Sequence, residues 1–111
     1  MQVSISVENG ILTASPAGEI DHHNASKIIE AIDMVTERNK VSDIVFDMKK
    51  VLFMDSAGIG IILGRYNKIL KTGGNVYIKG ESEYVRRLLE MAGVFKIIKR
   101  LEPESGVVNG E

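Results

Sequence analysis

Between Asp47 and Gly60 an apolar run, Val51-Leu52-Phe53-Met54, passes directly into Asp55-Ser56-Ala57-Gly58-Ile59-Gly60, so a strand ends and a helix begins around one hydroxyl. A carboxylate precedes that serine and two glycines follow it. At a helix start the Ser56 oxygen lies beside backbone N–H groups that lack intrahelical partners, and at the positive end of the macrodipole. An added phosphate is compatible with the fold there. The pattern presents one serine, and it points to a modification switch rather than a catalyst.

Strand and helix signals alternate around this joint. Val3, Ile5 and Val7 alternate with polar residues, and Asn9-Gly10 separates them from Ile11-Leu12-Thr13-Ala14. This predicts a tight hairpin, because Asn-Gly accepts the positive φ values such a turn demands. After Pro16-Ala17-Gly18 and Glu19-Ile20-Asp21-His22-His23-Asn24, apolar residues at Ala25, Ile28, Ile29, Ile32 and Val35 predict a helix reaching about Arg38, with Asn24 as its N-cap. Residues 42–47 read as a strand buried on both faces. Residues 57–71 read as a helix whose buried stripe is Ile59, Ile62, Leu63, Tyr66, Ile69 and Leu70. Residues 75–79 give a further strand, Ser82 caps a helix burying Val85, Leu88, Leu89 and Ala92, and Val94-Phe95-Lys96-Ile97-Ile98-Lys99 gives a last short strand. The implied fold class is α/β, with an N-terminal hairpin leading into a mixed β-sheet packed with helices. A chain of 111 residues makes one domain, expected over residues 1–102. Residues 103–111 are small, polar and aperiodic, and are expected to form a disordered tail.

Composition excludes several function classes. A formal net charge of -1 argues against a nucleic-acid binder, which neutralises phosphates with a basic excess. Zero cysteines exclude disulfides and thiol chemistry. Two adjacent histidines without spaced carboxylates or cysteines make no metal site, and no cofactor is implied. No basic N-terminal region followed by an apolar core suggests a signal peptide, and no apolar run approaches the ~20 residues that span a bilayer, so no membrane association and a cytoplasmic protein are expected. In that setting Asn24-Ala25-Ser26 is a chance match to a glycosylation acceptor.

Gly58, Gly60 and Gly64 each cost about 0.8–1 kcal/mol relative to alanine inside a helix, so something compensates. Helical geometry sets Ala57, Ile61, Gly64 and Lys68 opposite the expected stripe, with Gly60 beside them. That outer face would combine an exposed Ile61 with a flat surface that a partner's backbone can approach. For Gly58, tight packing on the chain's own sheet is an equal reading. On pattern alone the commoner role for Ser56 or Asp55 is simply an N-cap, since capping serines are frequent, and both roles coexist if Asp55 caps while Ser56 takes the first helical position. Asp21, His22 and His23 enter the first helix and are expected near Ser56, where Asp21 can meet a partner arginine. Arg65 reads either as a partner contact or as a solvated side chain. A serine hydrolase using Ser56 with His22 or His23 and Asp21 or Asp47 is the rival from another class, but Met54 stands where a nucleophile elbow needs glycine. Gly58-x-Gly60-x-x-x-Gly64 has neither dinucleotide spacing nor a P-loop lysine.

Three stretches also carry a family resemblance: Gly18-Glu19-Ile20-Asp21-His22-His23; Phe53-Met54-Asp55-Ser56-Ala57-Gly58-Ile59-Gly60-Ile61-Ile62-Leu63-Gly64-Arg65-Tyr66; and Met91-Ala92-Gly93-Val94-Phe95-Lys96-Ile97-Ile98. Over residues 3–100 the chain resembles the anti-sigma factor antagonists of the STAS domain class. His22-His23 and Leu63-Gly64-Arg65-Tyr66 point to the sporulation branch over the general stress branch. The resemblance implies a single STAS domain that works as a partner switch. The unmodified antagonist binds a dimeric, nucleotide-bound anti-sigma factor that is also a serine kinase, which frees the sigma factor. The kinase then phosphorylates the antagonist, and a PP2C-type serine phosphatase resets it. By motif match Ser56 is the phosphorylated residue, and Asp21, Asp55, Ser56, Ala57, Gly58, Gly60, Ile61, Gly64 and Arg65 are the expected partner-binding residues. Ala57 departs from the sporulation pattern, in which a second serine is common, and the acceptor is therefore unambiguous.

Overall fold

Residues 2–101 are described by a computed structural model. Strand β1 (Gln2–Glu8) turns at Asn9-Gly10 into β2 (Ile11–Ile20), and the turn residues adopt φ of 54° and 80°, which asparagine and the side-chain-free glycine both tolerate. Helix α1 (Ala25–Arg38) and strands β3 (Asp43–Asp47) and β4 (Val51–Met54) follow. Then come α2 (Ser56–Leu70), β5 (Val76–Lys79), α3 (Glu83–Met91), a 3-10 turn (Val94–Lys96) and β6 (Lys99–Arg100). The sheet runs β1-β2-β3-β5-β6, antiparallel between β1 and β2 and parallel elsewhere.

The length of β2 is what builds the site. Its first half pairs with β3, from Ile11 opposite Asp43 to Ala14 opposite Phe46. Its second half, past a register irregularity between Gly18 and Glu19, pairs with β4 so that Ile20 lies opposite Met54. Two chain segments therefore leave the sheet side by side, one into Asp21 and the other into Asp55.

One apolar core joins sheet to helices. Leu12 and Ala14 of β2, Ile44 and Phe46 of β3, and Val76 and Ile78 of β5 meet Ile28 and Ile32 of α1, Ile61, Ile62 and Ile69 of α2, and Val85 and Leu89 of α3. Val45, on the opposite face of the sheet, is buried between Thr13 and Tyr77, as the continuous apolar run of β3 anticipates.

Several expectations need correction. Strand β2 runs beyond the Ile11-Leu12-Thr13-Ala14 segment read from sequence and continues through Pro16-Ala17-Gly18, with Pro16 opposite Val3. The last apolar run is a 3-10 turn and only two residues of strand, because Val94 and Ile98 are the buried pair, and their spacing of four suits a turn rather than an alternating strand. Ala92 is exposed. On α2 the buried residues are Gly58, Ile61, Ile62, Arg65 and Ile69, so the helix is rotated about its axis from the expected stripe. Ile61 is 3% exposed and sits in the core rather than on an outer face. Arg65, 8% exposed, is neither solvated nor presented to a partner. The expected tail lies outside the described residues.

Candidate functional site: the β4–α2 joint

Asp55 caps α2. Its backbone is extended (φ -105°, ψ -167°), and its Oδ1 accepts the Ala57 N–H at 2.8 Å. Its carbonyl accepts the Gly58 N–H at 3.0 Å, and its own N–H donates to the Ile20 carbonyl at 3.1 Å, which locks the joint to the end of β2. Ser56 is the first residue of the helix and is exposed. Because the carboxylate does the capping, the hydroxyl is free of that duty and faces outward.

The neighbouring loop is held by its own first residue. Asp21 Oδ1 accepts the N–H groups of His23 at 2.9 Å and Asn24 at 3.2 Å, and its carbonyl accepts the Ala25 N–H at 3.0 Å. Asn24 stands at the N-cap position of α1, as the sequence predicts, but its side chain makes no capping bond; its Oδ1 accepts the Asp21 N–H and its Nδ2 donates to the Glu19 carbonyl. These bonds form a self-braced turn, and the side chains it shows are the two imidazoles. His22 Nδ1 lies 3.8 Å from Asp55 Oδ2, and His23 Nδ1 lies 3.8 Å from Asp21 Oδ1. The Asp21 loop and the Ser56 joint thus form one surface, with two carboxylates on it.

Helical geometry now defines which residues share a side with Ser56. With the buried stripe centred on Gly58, Ile62, Arg65 and Ile69, the opposite side carries Ser56, Gly60 and Asn67, flanked by Leu63 and Gly64. A methyl group added at Gly60 or Gly64 would meet nothing within 4 Å, so these glycines fill no packing need. Gly58 is different: an added Cβ would come within 2.2 Å of Met54 Cγ, and this glycine exists to let α2 sit against the end of β4. Of the residues singled out in the sequence, Asp21, Asp55, Ser56, Ala57, Gly60 and Gly64 belong to or border the surface, whereas Gly58, Ile61 and Arg65 lie beneath it.

Two aromatic residues escaped the sequence reading. Phe53 and Tyr84 are exposed and stacked, with ring centroids 5.9 Å apart, and the Tyr84 hydroxyl donates to the Met54 carbonyl at 3.0 Å. They form an apolar flank immediately before Asp55. Phe53 belongs to four consecutive apolar residues, a pattern with no alternation to reveal which side chain faces out. Tyr84, thirty residues beyond Met54 in the chain, gave no signal at all.

A model of the STAS domain matches residues 2–106 of this chain. The anti-sigma F factor antagonist of Paenibacillus polymyxa is 37% identical over 98 residues, covering 88% of this chain and 84% of that protein. The anti-sigma-B factor antagonist of Bacillus subtilis (strain 168) is 29% identical over 98 residues, covering 88% of each. Among solved structures, the unphosphorylated form of the anti-sigma factor antagonist SpoIIAA superposes with a TM-score of 0.80 at 24% identity, over 97% of this chain and 100% of that one. The phosphorylated form of the Bacillus cell fate determinant SpoIIAA superposes with a TM-score of 0.73 at 22% identity, over 96% of each. At these identities the structural match speaks for the fold.

Proposed function

The chain belongs to the STAS domain family, and from that premise we propose that it is an anti-sigma factor antagonist switched off by phosphorylation of Ser56. The observation that carries the proposal is the exposed hydroxyl at the first position of α2, relieved of capping by Asp55. In the unmodified state the surface formed by Asp21, Asp55, Ser56, Ala57, Gly60 and Gly64 docks a dimeric, nucleotide-bound anti-sigma factor that is also a serine kinase, and the sigma factor is released. Transfer of a phosphoryl group to Ser56 adds about −1.5 to −2 charges and three acceptor oxygens beside Asp55 and Asp21. Docking would then bury a dianion among carboxylates, a mismatch worth several kcal/mol and hence orders of magnitude in occupancy. A PP2C-type serine phosphatase restores the binding form. The chain acts as a regulator rather than an enzyme, and the exchange takes place in the cytoplasm, where the nucleotide and the sigma factor are found.

The sporulation branch is supported by the relative at 37% identity. The general stress branch, with the same switch and a sigma-B partner, is the second reading, supported by the antagonists of Bacillus subtilis and of Listeria monocytogenes at 29% and 30% identity. The test is to incubate the chain with host lysate and either ADP or ATP, identify the retained proteins, and locate phosphate by mass spectrometry. A protein kinase retained under ADP, together with a single phosphate on Ser56 under ATP, is the expected result, and the sigma factor freed names the branch. Phosphate on another residue, or none, contradicts the proposal.

A further inference from the structure

Arg65, buried rather than presented, lines a cavity of roughly 500 Å³ between α1, β3 and the C-terminal half of α2. Its Nε and Nη1 are buried without a hydrogen-bond partner among the described residues. Asp33 of α1 is the carboxylate facing it, with Oδ1 3.2 Å from Nε as an ion pair; Asp33 Oδ2 accepts from Lys68 Nζ at 3.1 Å. One carboxylate thus serves two cations, and Lys40 on the same wall adds a third. The hydroxyls of Thr36, Ser42 and Thr72 are already engaged, donating to the carbonyls of Ile32, Gly10 and Ile69. The lining of the cavity therefore combines the Arg65 side chain, the lysines Lys40 and Lys68, and apolar side chains from Val41, Ile44 and Ile69.

We propose that this cavity binds a small organic anion, with a carboxylate against the Arg65 guanidinium and an apolar body along Val41, Ile44 and Ile69. A volume of this size falls within the roughly 300–1,000 Å³ of small-molecule sites, which pair mostly apolar walls with a few placed polar groups. Nε already faces Asp33, so Nη1 is the donor left unmet, and a buried guanidinium with an unmet donor gains a charge-assisted bond from a carboxylate. A monoanion suits the site better than a phosphate dianion, because Asp33 already stands beside the same guanidinium. The site is separate from the switch: Arg65 follows Ser56 by nine residues, about 13 Å along the helix axis.

The experiment is a two-dimensional ¹H–¹⁵N NMR titration of the labelled full chain with sodium hexanoate and sodium benzoate, using 1-hexanol and inorganic phosphate as controls. Saturable shifts are expected with the carboxylates at the amides of Ser42, Ile44, Lys68 and Ile69 and at the Arg65 Nε–H, with a dissociation constant of about 1 mM, the scale open to ligands of so few atoms. Lys68→Met, at a side chain 56% exposed, keeps the fold and weakens binding by about threefold. Arg65→Gln removes the response. No saturable shift up to about 50 mM, far above that constant, overturns the proposal. Equal shifts from hexanol, a response to phosphate alone, or carboxylate binding undiminished in Lys68→Met and Arg65→Gln overturn it as well.

Discussion

At the residue scale the joint depends on a division of labour between two neighbours. Asp55 holds the helix start and Ser56 carries the exposed hydroxyl, so substitutions at the two positions have different consequences. Asp55→Ala removes the side-chain bond to the Ala57 N–H and is expected to lower stability by about 0.5–2 kcal/mol, measured by urea unfolding. Ser56→Ala leaves that bond intact and is expected to change stability by less than about 0.5 kcal/mol. If Ser56→Ala proves the costlier of the two, the capping assignment is wrong. Gly58→Val forces a branched side chain into the space of Met54 Cγ and Sδ and is expected to cost about 1–3 kcal/mol by overpacking, read in the same assay.

Helix α2 shows where sequence reasoning held and where it failed at the element scale. Its limits, its leading Asp55-Ser56 pair and the openness around Gly60 and Gly64 were legible, because caps and glycines are local signals. Its rotation was not. From Ala57 to Leu63 every residue is apolar or glycine, so the pattern has little contrast, and reading Arg65 as a surface residue pushes the inferred stripe toward Tyr66 and Leu70. The buried arginine is tied to Asp33 on another helix, a partnership that one helix's periodicity does not contain. The corrected rotation makes two predictions. Ile61→Glu places an unpaired charge in the core and is expected to destabilise the free domain by about 3–5 kcal/mol, seen as a loss of the cooperative unfolding transition at ordinary temperature. Gly60→Ala is expected to stabilise the free domain by about 0.5–1 kcal/mol, whereas Gly60→Gln keeps the fold and impairs docking, separated by thermal unfolding and a binding assay run on the same preparations.

Across the whole molecule, the long β2 strand does the organising. By pairing first with β3 and then with β4 it delivers Asp21 and Asp55 from adjacent strand ends, which is why residues more than thirty positions apart make one surface. The alternation of strands and helices and the Asn9-Gly10 hairpin announced the fold class, while the pairing of β4 with the far half of β2 was not legible, because register is decided by tertiary packing. A switch at this surface leaves the core beneath it intact, since the helix start favours added negative charge by about 0.3–1 kcal/mol. The most direct measurement is calorimetric titration of the nucleotide-bound anti-sigma factor with unmodified chain, chain phosphorylated on Ser56, and Ser56→Asp, each first shown to share one unfolding midpoint. The account predicts tight binding by the unmodified chain alone, with the other two weaker by orders of magnitude. Equal affinity of the phosphorylated and unmodified chains would contradict it.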